Sequence, residues 1–354
     1  MVKYTIQRLI MAVFTCAIIL TLTFFLVKTL PFEPTIGTNE ARLAYMLNQV
    51  SVGNVIWSTT ENNSLGELLW HYTQTGTTGV TEYYFYLRPA IDQYIVWVTN
   101  ILTKFNWGTS QYISPNVDAM VLIVGNSLST SRLWTTIKVN FWSVIFSVPI
   151  GIGLGIWAAL KKNKMTDHII STVVMIFISV PSFIVITIFM WLLCYTWGLL
   201  PTQWPSDSAN TFTTVSGYVL PTVCLSFGSI CGYCRFTRAE LTEVMSSDFL
   251  LLARTKGLTK TQSITRHALK NAFVPILPSI LAEVIGLLGG SMILETLYGI
   301  PGIGRLYVTA INQKDYNVLM ADMAFYTIIG LVSGVFLDLS YGFIDPRIRM
   351  GAKK

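Results

Sequence analysis

"GLTKTQSITRHALKNAFVP", residues 257–275, sets Lys260, Arg266, His267 and Lys270 directly ahead of an apolar run. Arg254 and Lys256 stand just before it. A basic segment that abuts a long apolar stretch has the pattern of a loop at a membrane surface, and the rest of the chain agrees. Residues 9–27, 139–160, 169–197 and 215–234 contain no charged side chain. Residues 272–297 hold only Glu283 and Glu295, and residues 323–344 only Asp338. Each run meets the roughly 20 residues needed to cross a hydrocarbon core. Only 12% of the 354 residues are charged, about half the fraction usual in soluble domains, and the mean hydropathy is +0.55. The expectation is an all-α membrane protein with six transmembrane helices.

Charge asymmetry orients it. With the N-terminus inside, segments 1–8, 161–168, 235–271 and 345–354 are internal and carry sixteen of the 24 Lys and Arg residues. That is the bias of cytoplasmic loops, so both termini are expected inside the cell membrane. The net charge of +6 follows from this asymmetry, and with no aromatic-interleaved basic groove it points to lipid and not to nucleic acid. The first run has Lys3 and Arg8 ahead of it, as a signal peptide would. It is long for one, however, and "KTLPFEPT" offers no small-residue cleavage site, so it reads as a retained helix. All five cysteines fall within the apolar runs, which argues against a disulfide framework. Cys231-Gly-Tyr-Cys234 has redox or metal spacing but no second pair, and packing is the favoured reading.

Four regions follow: 1–30, an inner tip and first helix; 31–131, an enlarged extracytoplasmic segment; 132–345, a core of five helices with an inner loop at 235–271; and 346–354, a basic tail. Within the second, apolar residues from Ile91 to Phe105 recur at helical spacing behind Pro89. This predicts an amphipathic helix near 89–107, lying on the outer membrane surface or packed against other elements. Residues 32–90 show no clear pattern. Pro149, Gly151, Gly153, Gly155, Pro181, Pro221, Gly228 and Gly232 punctuate the spans, as packing and kink devices or as parts of a gate.

The inner loop is the most informative. Helical spacing of Leu241, Met245 and Leu252 carries the fourth span beyond the membrane. Gly257 then sits where a helix end favours a left-handed residue, with Arg254 and Lys256 in the last turn. Thr259-Lys260-Thr261-Gln262 is a capping-box pattern that opens a second short helix, with Ile264, Ala268 and Leu269 on one side. Basic residues resting on lipid headgroups account for the charge. The turn followed by a capped amphipathic helix suits a protein groove better.

At this loop the chain resembles a known family. "ARTKGLTKTQSITRHALKNAFVP" is similar to the cytoplasmic EAA-type loop of ABC importer permeases of the oligopeptide/dipeptide/nickel branch. Phe249, Thr255 and Lys270 depart mildly from that pattern. "LETLYGIPGIGRL" (294–306), "KDYNVLMAD" (314–322), "DLSYGFIDPRIR" (338–349), "YTIQRLI" and "NWGTS" (106–110) resemble further motifs of the branch. The likeness covers about 107–354 well and 1–30 loosely. It implies a type I importer permease whose loop around Gly257 couples to a separate ATPase. Arg254, Lys256, Gly257, Leu258, Arg266, His267 and Asn271 would form that coupling loop. Glu283, Glu295, Pro301 and Gly302 are candidates for the substrate pathway or gate. Acids inside a membrane are costly and often functional, and Glu283 would bind a peptide amine or pair with a partner subunit. Implied partners are a second homologous permease, in a heterodimer, two cytoplasmic ABC ATPase subunits and an extracytoplasmic binding protein. The chain has no G-x-x-x-x-G-K-[ST], so ATP and Mg would belong to the ATPases and no cofactor or metal to this chain. The implied cargo is a dipeptide or oligopeptide, with nickel or another small solute as the alternative. An ion-driven secondary transporter would show repeated halves, and a membrane hydrolase a G-x-S-x-G or H-E-x-x-H motif; neither pattern is present.

Overall fold

The computed structural model describes residues 2–30, 38–76, 79–206 and 210–344. Its first helices are α1 (Val2–Lys28), α2 (Asn39–Val52), α3 (Ala90–Lys104), α4 (Ala119–Val124), α5 (Arg132–Leu160), α6 (Met165–Ser179) and α7 (Ser182–Phe189). They are followed by α8 (Thr211–Met245), α9 (Asp248–Thr255), α10 (Lys260–Ser263), α11 (Leu269–Gly286), α12 (Met292–Tyr298), α13 (Ile303–Asn312) and α14 (Tyr316–Ile344). Strands β1 (Val55–Ser58), β2 (Leu68–Gly76) and β3 (Gly79–Leu87) lie between α2 and α3. The fold is mostly helical, as expected, and the small sheet is an element that the sequence pattern did not reveal.

Among the described residues, five helices are long and apolar enough to cross a membrane: Thr5–Lys28, Arg132–Leu160, Thr211–Met245, Lys260–Gly286 and Tyr316–Ser340. The stretch expected as one span at 169–197 is a pair, Met165–Ser179 and Ser182–Thr196, bent by 101°. Pro181 explains the break, because its ring disfavours helical backbone at the preceding residue and Val180 is extended. The span expected to run to Leu297 stops at Gly286. Gly289 and Gly290 follow, the latter with φ +62°, and Ser291 caps a separate helix carrying Glu295.

Two compact units emerge. One comprises residues 1–9, 128–306 and 329–354. Its spine is α5 against α8, packed along much of their length. Gly151 and Gly155 make that approach possible. A Cβ on Gly151 would lie 2.7 Å from Tyr233 Cβ and 2.8 Å from Ile230 O; one on Gly155 would lie 2.7 Å from Cys234 O. Small residues four apart let membrane helices touch backbone to backbone. Ser226 Oγ donates across the same seam to Ser143 O at 3.0 Å. The start of α6 is held by an ion pair: Arg238 Nη2 donates to Asp167 Oδ2 at 2.8 Å and its Nε to Oδ1. Asn163 N and Ser171 Oγ also donate to the Asp167 carboxylate, which is buried. Arg8 pairs with Asp338 at 3.2 Å.

The other unit comprises residues 10–127 and 307–328. The sheet is antiparallel in the order β1-β3-β2, and Val55 and Phe85 from it bury Leu43 and Met46 of α2. The amphipathic helix is present as α3, one residue inside Pro89. Tyr94 and Trp97 pack their rings on Phe24 of α1, while Ile91, Ile95 and Leu102 stay exposed. It is therefore packed on a neighbour and still offers an apolar stripe. Two sequence motifs meet here. Asp315 Oδ2 accepts from Ser110 Oγ (2.6 Å) and from the amides of Gln111, Tyr112 and Ile113 (2.9–3.2 Å). Asn317 Nδ2 donates to Thr109 O at 2.9 Å, beside Gly108, where a Cβ would stand 2.9 Å from Asn317 Cγ.

Gly151→Val and Gly155→Val are expected to overpack the α5–α8 seam at about 1–3 kcal/mol each. Gly153→Ala, whose Cβ meets nothing within 4 Å, should be neutral. The check is thiol labelling of buried Cys231 and Cys234 in detergent, which should accelerate in the first two variants only.

Candidate functional site

The loop after α8 is built by local rules. Ser246 ends α8, and Ser247 Oγ turns back to Val244 O at 2.6 Å. α9 runs to Thr255, and its end is closed by Gly257 N to Arg254 O (3.0 Å). Gly257 has φ +94°, the left-handed backbone expected of it. Thr259 then caps α10: Gln262 N donates to Thr259 Oγ1 at 3.3 Å and Thr259 N to Gln262 Oε1 at 3.1 Å. The expected second helix is not a separate piece. α10, a π-helical turn at Ile264–Ala268 and α11 run on as one helical stretch, Lys260–Gly286.

Packing reassigns the loop's apolar face. Ile264, Ala268 and Ala272 are buried with Ala159, Leu241 and Leu250 in the chain's own core, so this edge is not free for a partner. The exposed apolar face belongs to α9: Phe249 is 44%, Leu251 62% and Leu252 56% exposed. Around it, Arg254, Lys256, Arg266, His267 and Asn271 are exposed and Leu258 is half-buried. None of those four basic side chains enters an ion pair among the described residues. Asn271 Nδ2 donates to His267 O at 2.8 Å.

The pathway candidates divide. Glu283, on α11, is half-buried and accepts from Ser147 Oγ at 3.4 Å. It lines a cleft of about 170 Å³ with Asn140, Ser143 and Ser229, so three helices contribute polar groups to one hollow.

Glu295 and Gly302 come together elsewhere, around a carboxylate that is only 3% exposed, while Pro301 beside Gly302 is exposed. Glu295 Oε1 accepts from Thr136 Oγ1 (3.0 Å) and Ser291 N (3.4 Å), and Oε2 from Arg305 N (3.0 Å). Ile303 N donates to Thr136 Oγ1 at 3.1 Å. The carboxylate thus caps the N-terminus of α13, where the helix dipole favours negative charge. A Cβ on Gly302 would lie 2.3 Å from Glu295 Oε2, and one on Gly290 2.6 Å from Oε1. The glycines of "LETLYGIPGIGRL" make room for this carboxylate. Burial raises its pKa, while the hydrogen bonds from Arg305 N, Thr136, Ser291 N and Gly304 N oppose the rise. Both its oxygens are engaged by its own chain, which makes Glu295 a pin among α5, α12 and α13. Sequence reading overlooked Thr136, Asp167 and Arg238. Their signal is weak, a lone threonine, an acid in a basic loop and one arginine among many.

Residues 151–350 match the family described as "Binding-protein-dependent transport system inner membrane component". The chain belongs to this family. As such an inner membrane component it has full-length relatives. The "Dipeptide transport system permease protein DppB" of Bacillus subtilis (strain 168) is 30% identical over 356 residues, covering 100% of both chains. The protein of that name from Lactococcus lactis subsp. cremoris (strain MG1363) is 31% identical over 99% of this chain and 100% of its own. The "Oligopeptide transport system permease protein OppB" of Escherichia coli (strain K12) is 28% identical with the same coverage.

Glu295→Ala is expected to remove the acceptor of the Arg305 amide and of the Thr136 hydroxyl proton, lowering stability by about 1–3 kcal/mol per buried group. Thermal unfolding of the purified inner membrane component in detergent measures it. Glu295→Gln, which keeps an acceptor, should lose less.

Proposed function

We propose that the chain is the membrane-spanning permease subunit of an ATP-driven importer of dipeptides or oligopeptides, working by alternating access. The exposed face of α9 carries this reading. Phe249, Leu251 and Leu252 lie outward on a short helix closed by the Gly257 turn and flanked by basic residues that have no ion-pair partner among the described residues. An amphipathic helix of this kind fits a groove on a partner, and the partner proposed is a cytoplasmic ABC ATPase subunit. Two such subunits would hold ATP and Mg, so that this chain transmits work and does not hydrolyse nucleotide. A second, different permease and an extracytoplasmic binding protein complete the assembly, and charge asymmetry supports a cytoplasmic position for both termini. Peptide as cargo is supported by the names of the full-length relatives.

In this scheme ATPase closure pushes on α9, and Arg254, Lys256, Arg266 and His267 make charged contacts to the ATPase or to lipid. The continuous helical stretch from Lys260 to Gly286 carries the displacement from the loop to Glu283. There Glu283, Asn140, Ser143 and Ser229 offer a polar passage, with the carboxylate suited to a peptide amine.

Co-purification of a P-loop ATPase with the tagged chain, and its loss in Phe249→Glu, tests the docking face. Gly257→Val should leave membrane insertion intact, because a Cβ there meets nothing within 4 Å. Left-handed backbone costs a residue with Cβ about 1–2 kcal/mol, so labelled dipeptide uptake should fall roughly five- to thirtyfold. Normal uptake in that variant would sink the coupling role. For Glu283→Gln, a raised half-saturation concentration for dipeptide is expected; unchanged uptake would remove Glu283 from the substrate path.

A further inference from the structure

The unit built around α2, α3 and the sheet contains a cavity of about 320 Å³ that the transport scheme does not use. Lys28, Gln49, Asn54, Glu67, Arg88 and Gln93 are among its lining residues. Its polar groups form a chain that ends in an unused donor. Lys28 Nζ donates to Asn54 Oδ1 at 2.8 Å, and Asn54 Nδ2 donates to Gln49 Oε1 at 2.7 Å. Gln49 is 0% exposed, and its Nε2 has no partner among the described residues. The amide orientations are fixed by this chain: an ammonium can only donate, which makes the near atom of Asn54 oxygen and the near atom of Gln49 oxygen in turn. Arg88 also lines the cavity, and its Nε is buried and without a partner among the described residues. Gln93, 4% exposed, donates through Nε2 to Arg88 O at 2.6 Å and leaves Oε1 bare.

Buried polar groups are nearly always paired, so several unpaired ones on residues that line one hollow need an explanation. Two cations line this hollow, and no ion pair to either appears among the described residues; Glu67 sits exposed at its edge. Lys28's ammonium lies 5.3 Å from the Phe24 ring centroid, which holds the charge in place without neutralising it. Pro89 and Ala90 also line the cavity, so the N-terminus of α3 opens onto it, with no side-chain cap on its first amides. Each of these features attracts negative charge. The bare Oε1 of Gln93 wants a donor beside it.

We propose that this cavity binds an oxyanion headgroup, a phosphate or carboxylate whose carrier also presents a hydrogen-bond donor. Lys28 and Arg88 hold the charge, Gln49 donates a neutral hydrogen bond, and Gln93 accepts from the carrier. Lys28 closes the apolar span Thr5–Lys28, which puts the cavity at headgroup depth. An anionic phospholipid is therefore one source of the group and a free solute the other.

The test uses the purified full-length chain in detergent with three probes: dioctanoyl phosphatidylglycerol, dioctanoyl phosphatidylcholine and inorganic phosphate. Binding is read as a concentration-dependent rise in unfolding temperature. A rise with phosphatidylglycerol alone assigns a lipid headgroup. A rise with inorganic phosphate, which then competes with the lipid, assigns a free oxyanion. Lys28→Gln should weaken either by about tenfold or more, and Gln49→Leu, which deletes the unused donor at similar size, should weaken it several-fold. Lys104→Gln, an exposed cation of the same unit, should bind as the parent does. Should Lys28→Gln fail to fold, Gln49→Leu carries the same readout. No rise with either anionic probe, unchanged binding in the folded cavity variants, or an equal loss in Lys104→Gln overturns the proposal and leaves a merely hydrated hollow.

Discussion

At Gly151 and Gly155 the backbone of α5 lies so near α8 that no side chain fits between them. In a bilayer, apolar side chains gain little by leaving lipid for each other, and helices associate through close packing and a few polar contacts. That constraint shapes the unit of residues 1–9, 128–306 and 329–354. With α5 and α8 fixed face to face, Tyr233 packs with Ile152 and Ile276 of α11, and Asn140, Ser143 and Ser229 border one cleft with Glu283. The loop helices rest on the same pair, through Ala159 of α5 and Leu241 of α8.

Three buried carboxylates fix joints that packing alone would leave loose. Asp167 ties α6 to α8 through Arg238. Glu295 ties α12 to α5 and to the start of α13. Asp315 gathers the amides of residues 111–113 at the start of α14. In each case the cost of burying charge is offset by several donors. Such groups specify one arrangement over its near alternatives, since a shift of one turn would leave both partners bare.

Much of this was legible in the residues. Uncharged runs mark the spans because a bilayer tolerates few alternatives. Gly257 and the Thr259–Gln262 box mark the turn and the cap because both obey local backbone rules. The bend at Pro181 was visible as a proline but not as an angle, because proline fixes the preceding residue and its neighbours fix the direction. The sheet escaped notice. Trp70, Tyr72, Tyr83 and Phe85 stack across two strands, a pairing between positions well apart in sequence that neither strand announces alone.

The sequence by itself determined that this chain enters a membrane, roughly where its long apolar helices lie, and which family it joins. Those outcomes rest on composition and on interactions within a turn or two of chain. Only the tertiary structure decided that Ile264 and Ala268 face inward while Phe249, Leu251 and Leu252 face out. It also decided that Glu295 is enclosed while Glu283 borders an open cleft. Two glutamates on apolar stretches look alike in sequence, and what separates them is the set of donors that distant segments bring to each.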